Sequence, residues 1–83
     1  MPYFVYILRC ADDTLYTGIA TDVTRRFEEH RLGLGAKYTR AHKPVKVVYQ
    51  EKIGSRSDAQ KREAAIKKLT RIKKLAMIRE LGA

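Results

Sequence analysis

Four side chains in this sequence have types and positions that could do chemistry on a phosphate. Tyr6 and Tyr16 stand ten residues apart, Arg26 follows after another ten, and Glu63 is the one acid between Asp58 and Glu80. A phenol can position a water or, where a cation depresses its pKa of about 10, accept that water's proton. A carboxylate is a hard oxygen donor, and Mg²⁺ is often held by only one or two of them, with water and phosphate completing the shell. An arginine facing the same cleft would meet a substrate phosphate. The competing reading is architectural, an Arg26–Glu63 ion pair tying helix to helix. On spacing alone that is the commoner outcome, because structural ion pairs outnumber active sites. Five tyrosines, two phenylalanines and no tryptophan form an odd aromatic set for a small core, which favours a use for the hydroxyls.

The elements that must hold these residues follow from the pattern. YFVYILR (3–9) is aromatic and β-branched and reads as a strand; both of its faces are apolar, so it is expected to be central and covered on two sides. CADDT (10–14) supplies turn residues, and TLYTGI (14–19) returns as the hairpin partner, with Tyr16 and Gly18 on one face. A helix is expected from Thr21 or Asp22, either of which can cap it, to near Gly33. GLGAKYTRAHKP (33–44) reads as a surface loop and VKVVYQE (45–51) as a third strand. Ser57-Asp58-Ala59-Gln60 has capping-box spacing and opens a helix to about Leu69; Thr70 caps a last helix ending at Gly82. The order β-β-α-β-α-α is an α+β fold, a small three-stranded antiparallel sheet flanked by helices. At this length, a single domain over residues 1–83 is expected.

The two adjacent arginines are not equivalent on the first helix. The stripe made by Val23 and Phe27 must face the sheet; Arg26 and His30 border it, whereas Arg25 projects to the opposite side. Arg25 is therefore a solvated charge or a phosphate contact, and Arg26 is held against the body of the domain. On the later helix Glu63 shares the stripe of Ala59 and Ile66, where a carboxylate needs a partner. His30 is more often a satisfied buried histidine than a catalyst, and it is kept as a candidate neighbour of the site.

Eighteen lysines and arginines against nine acids give a net charge of +9, which favours a polyanionic partner. Lys37, Arg40, His42 and Lys43 could track a nucleic-acid backbone, with Tyr38 stacking on a base. The lone Cys10 allows no internal disulfide, and no Cys/His cluster suggests structural zinc. No apolar run approaches the ~20 residues of a membrane span and no signal segment is visible, so a cytoplasmic location is expected. Nothing in the sequence sets an oligomeric state, and a monomer satisfies the reading.

Val5-Tyr6-Ile7 followed by Tyr16-Thr17-Gly18 resembles the paired signature of the GIY-YIG nuclease superfamily. Arg26 on the next helix, Glu63 on a later one, and the segments GAKYTR (35–40) and REAAIKKL (62–69) further resemble its small stand-alone bacterial branch. The resemblance implies a divalent-metal-dependent endonuclease acting on DNA, structure-directed in repair or recombination, with RNA as the other polyanion the charge allows. It implies that Tyr6 and Tyr16 handle the attacking water, that Arg26 stabilises the phosphoryl oxygens, and that Glu63 holds one Mg²⁺ or Mn²⁺. Val5 stands where the family has glycine, Thr17 where it has isoleucine and Ile19 where repair members have lysine. The chain also contains no asparagine, whereas many active members carry one near the domain's end. The changes at Val5 and Thr17 are compatible with strands. The missing asparagine and the small size favour the alternative, a degenerate module that binds nucleic acid without cutting it, whereas the retained quartet of Tyr6, Tyr16, Arg26 and Glu63 favours the nuclease.

Overall fold

A computed structural model describes residues 1–81. Its elements are β1 (Tyr3–Cys10), β2 (Leu15–Ala20), α1 (Val23–Arg31), α2 (Lys37–Ala41), β3 (Pro44–Gly54), α3 (Arg56–Lys67) and α4 (Arg71–Leu81). The strands form one antiparallel sheet in the order β2-β1-β3, so the strand with two apolar faces is the central one, as its composition requires. On one face Val5, Ile7 and Tyr49 pack with Ala59 and Ile66 of α3, and Met77 and Ile78 of α4 lie against them. On the other, Tyr6 and Leu8 pack with Val23 of α1, joined by Phe4, Tyr16, Phe27 and Val47. Burying each large aliphatic or aromatic side chain on these faces stabilises the fold by about 1.5–3 kcal/mol. No described helix is long and apolar enough to cross a membrane.

Local chemistry sets the helix ends. Asp22 caps α1, its carboxylate accepting from the Arg25 backbone N–H at 3.0 Å. Thr70 accepts from the Lys73 N–H at 3.2 Å and caps α4 as expected; the expected end at Gly82 lies outside the described residues. Three expectations need correction. The cap of α3 is Ser55, which accepts from the Asp58 N–H at 3.1 Å, and Ser57 lies inside the first turn. Strand β3 runs to Gly54 because it pairs along the whole of β1, through three register shifts that local patterning does not reveal. The segment 33–44 is not wholly loop: Lys37–Ala41 forms the short helix α2, anchored by the buried Thr39. No apolar period announces that turn, since its single buried side chain is a threonine held by a histidine elsewhere in the chain.

Candidate active site

The hairpin register places Tyr6 directly opposite Gly18. A Cβ at position 18 would stand 2.6 Å from the Tyr6 hydroxyl oxygen and 2.8 Å from Cζ, so the phenol occupies the space a side chain would need. This explains a glycine in the middle of a strand, where it is otherwise unfavourable. The Tyr6 ring is 1% exposed, and the Tyr16 ring lies beside it at 6.4 Å between centroids.

His30, on the inner side of α1, stands behind these two rings. It is 1% exposed and bonded at both nitrogens: Nε2 to the Tyr6 hydroxyl at 2.8 Å and Nδ1 to the Thr39 hydroxyl at 2.7 Å. The Thr39 hydroxyl in turn donates to the Ala36 carbonyl at 2.8 Å. Tyr16 meets the imidazole edge to face at 5.1 Å. Burial, followed by the nearby Arg26 charge, pushes the His30 pKa below its usual value, which favours a neutral imidazole. His30 is thus both a satisfied core histidine and a direct neighbour of the tyrosine pair.

The adjacent arginines separate as the helical geometry requires. Arg25 is 77% exposed and Arg26 is 36% exposed, and both reach the same carboxylate, Glu29. Arg26 donates to Glu29 at 3.0 Å and also lies close enough to the Tyr6 phenol to lower its pKa. Burial and the Tyr16 phenol act the other way and dominate, and Glu63 adds to them, so Tyr6 titrates well above an ordinary tyrosine and stays protonated. Tyr16 packs beside this phenol, and the charges of Arg26 and Glu63 bear on its titration.

The architectural ion pair between Arg26 and Glu63 does not form. Glu63 sits half-buried rather than in the core stripe and pairs with Lys67 of its own helix at 3.3 Å. The pair linking helix to sheet lies elsewhere. Arg62 donates to Glu51 at 3.0 Å, and Glu51 also takes the Tyr49 hydroxyl at 2.5 Å. Among the described residues no group of three or more His, Cys, Asp or Glu could hold a metal. A partly solvated carboxylate that Arg26 leaves free nevertheless fits a hard cation that takes one protein oxygen, with water and phosphate supplying the rest.

Lys37, Arg40 and Lys43 are exposed, but they radiate from α2 and its flank. Tyr38 is stacked on Tyr16 at 5.8 Å and on His42 at 4.3 Å, and it remains 38% exposed. Two basic residues that sequence reasoning passed over stand closer. Lys67 and Lys74 line a groove of about 290 Å³ with Leu15, Tyr16, Thr17 and Tyr38. Nothing local marks them, because α3 and α4 meet β2 only in the folded chain. Gly35 and Thr39 were also missed; their one signal was a small residue and a hydroxyl within the otherwise basic GAKYTR.

The chain belongs to the GIY-YIG family: the model described as the GIY-YIG catalytic domain, which stands for a family of nucleases, matches residues 2–76. UPF0213 proteins of Staphylococcus aureus, such as that of strain Mu50, are 54% identical over 78 residues, covering 94% of this chain and 95% of the relative. The solution NMR structure of a UPF0213 protein from Bacillus halodurans is similar at 42% identity and a TM-score of 0.59, covering 94% of this chain and 83% of that one. A second solution structure, of a protein from E. faecalis, is similar at 41% identity and a TM-score of 0.61, covering 93% and 83%.

Proposed function

We propose that this chain is a divalent-metal-dependent endonuclease that hydrolyses phosphodiester bonds in DNA, directed by substrate structure in repair or recombination. It would act in the cytoplasm as a single domain. The observation that carries this reading is the buried Tyr6 hydroxyl, which bonds the His30 imidazole at 2.8 Å with the Tyr16 ring beside it and the Arg26 charge close enough to bear on its titration. Burial makes a free Tyr6 phenolate unfavourable, so the phenol works by passing a proton on. As the water oxygen bonds to phosphorus, its proton goes to Tyr6 Oη and the phenol's own proton moves to His30 Nε2. The ester P–O bond breaks, and the departing oxygen takes its proton from solvent. Arg26 neutralises charge growing on the phosphoryl oxygens, and Tyr16 orients the water or the phosphate. Mg²⁺ or Mn²⁺ held by Glu63 would supply Lewis-acid stabilisation of the leaving oxygen. Lys67 and Lys74 guide the strand along β2, and Arg25, Lys37, Arg40 and Lys43 add distant phosphate contacts.

Labelled single-stranded, duplex and branched DNA, incubated with the protein and Mg²⁺ or Mn²⁺, tests this reading. Cutting that chelator and Glu63→Ala both abolish supports it. Binding without cutting on every substrate supports the degenerate module, which the absence of asparagine favours.

A further inference from the structure

We infer that Thr39, together with Gly35, is a positioning residue that fixes which nitrogen of His30 carries the proton, leaving Nε2 bare toward the Tyr6 hydroxyl. A threonine hydroxyl has one hydrogen and two lone pairs. Thr39 gives its hydrogen to the Ala36 carbonyl at 2.8 Å, so what it presents to His30 Nδ1 at 2.7 Å is a lone pair. The Nδ1 atom must then carry the N–H. A neutral ring has only one, so Nε2 accepts, and the Tyr6 hydroxyl donates to it at 2.8 Å. The bonds form one directional chain, from Tyr6 through His30 and Thr39 to a backbone carbonyl.

The ring is held in this orientation by close packing. A Cβ at position 35 would stand 2.1 Å from His30 Nδ1 and 2.7 Å from Cγ and Cε1, so the backbone at Gly35 lies directly on the imidazole. Thr39 itself is 1% exposed, and no described buried side-chain nitrogen or oxygen lacks a partner, so water has no obvious role in the chain. The groups facing His30 are Tyr6 and Tyr16 from the sheet, Thr39 from α2, and Arg26 and Glu29 from its own helix. Among the described residues only Thr39 bonds Nδ1. The segment GAKYTR thus does more than display basic residues: its glycine seats the histidine and its threonine orients the proton.

The consequence for catalysis rests on the proposed nuclease reading. With the opposite polarity, Nε2–H would point at Tyr6 and His30 could not take the phenol's proton. The tautomer itself is measurable without any cleavage, from the ring ¹⁵N–¹H correlations of His30 in the ¹⁵N-labelled full chain. The expected wild-type spectrum shows Nδ1 protonated and Nε2 bare. Thr39→Val should shift His30 to the Nε2–H form or to a mixture, and Thr39→Ser should restore the wild-type pattern. In cleavage assays Thr39→Val should lose about 10²-fold or more in rate with DNA binding unchanged, and serine should recover it. A wild-type His30 protonated at Nε2, or a folded Thr39→Val that keeps the Nδ1–H form, overturns the inference. If valine prevents folding, the wild-type spectrum and the serine variant still decide. The expected tautomers with no cutting by any protein would uphold the role of Thr39 and refute the nuclease reading alone.

Discussion

Gly18→Ala turns the close contact under Tyr6 into a change of sign. In a strand interior, alanine is favoured over glycine by about 0.5–1 kcal/mol, so an unobstructed position would gain stability. Here the added Cβ would stand 2.6 Å from Tyr6 Oη and 2.8 Å from Cζ, well inside contact distance. The ring cannot swing away cheaply, being 1% exposed with Tyr16 at 6.4 Å and His30 at 6.0 Å between centroids. Overpacking of this kind costs about 1–3 kcal/mol, and pulling the hydroxyl off His30 forfeits about 1 kcal/mol more. After the backbone gain is subtracted, a net loss of about 1–3 kcal/mol is expected. In a domain of this size each kcal/mol lowers Tm by roughly 4–8 °C. Urea unfolding, read as a lower midpoint at unchanged slope, measures the loss directly. Cleavage should fall by about 10²-fold, as a displacement near 1 Å at the reacting centre does. A variant as stable as the parent, or more so, would refute the placement of the phenol over Gly18 and with it the geometry of the site.

Arg26→Ala should slow cleavage by at least ~10²-fold, whereas Arg25→Ala should weaken DNA binding and reduce its salt slope by about 1; equal effects on cleavage would remove the distinction between them. Glu63→Gln should abolish metal-stimulated cutting while moving Tm by less than about 4 °C, because an i,i+4 pair such as Glu63–Lys67 contributes only about 0.2–0.5 kcal/mol. A large fall in Tm would instead make Glu63 part of the framework. On the far face, burial pushes the Glu51 carboxyl up, but the bonds from Tyr49 and Arg62 outweigh it and hold the pKa below the usual 4.5. Its contribution to stability is therefore present above pH 4.5 and is lost as pH falls through the lower folded value. Acid unfolding of Glu51→Gln should lack that part of the decline, with cleavage at neutral pH intact; identical pH profiles for the two proteins would refute the assignment.

The sequence by itself determined the central strand, since only a strand covered on both sides has Val5 and Ile7 on one face and Tyr6 and Leu8 on the other. It separated Arg25 from Arg26, because helical periodicity assigns neighbours to different faces whatever the fold. It also picked out Tyr6, Tyr16, Arg26 and Glu63 as the residues that need explaining. Other features were decided only by tertiary structure. That Arg26 does not meet Glu63, and that the framework pair is Arg62–Glu51, depended on how α3 sits against the sheet, whereas the Arg26–Glu29 pair follows from i,i+3 spacing on α1. The roles of Gly18 and Gly35 are contacts with rings 12 and 5 residues away in the chain, visible only when those rings are in place. Thr39 has no local pattern to betray it: it is buried because His30 is there to receive its lone pair. Periodicity reports which face of an element is covered; what lies against that face is set by long-range packing, and in this protein the hydrogen-bonded chain behind Tyr6 belongs to the second kind.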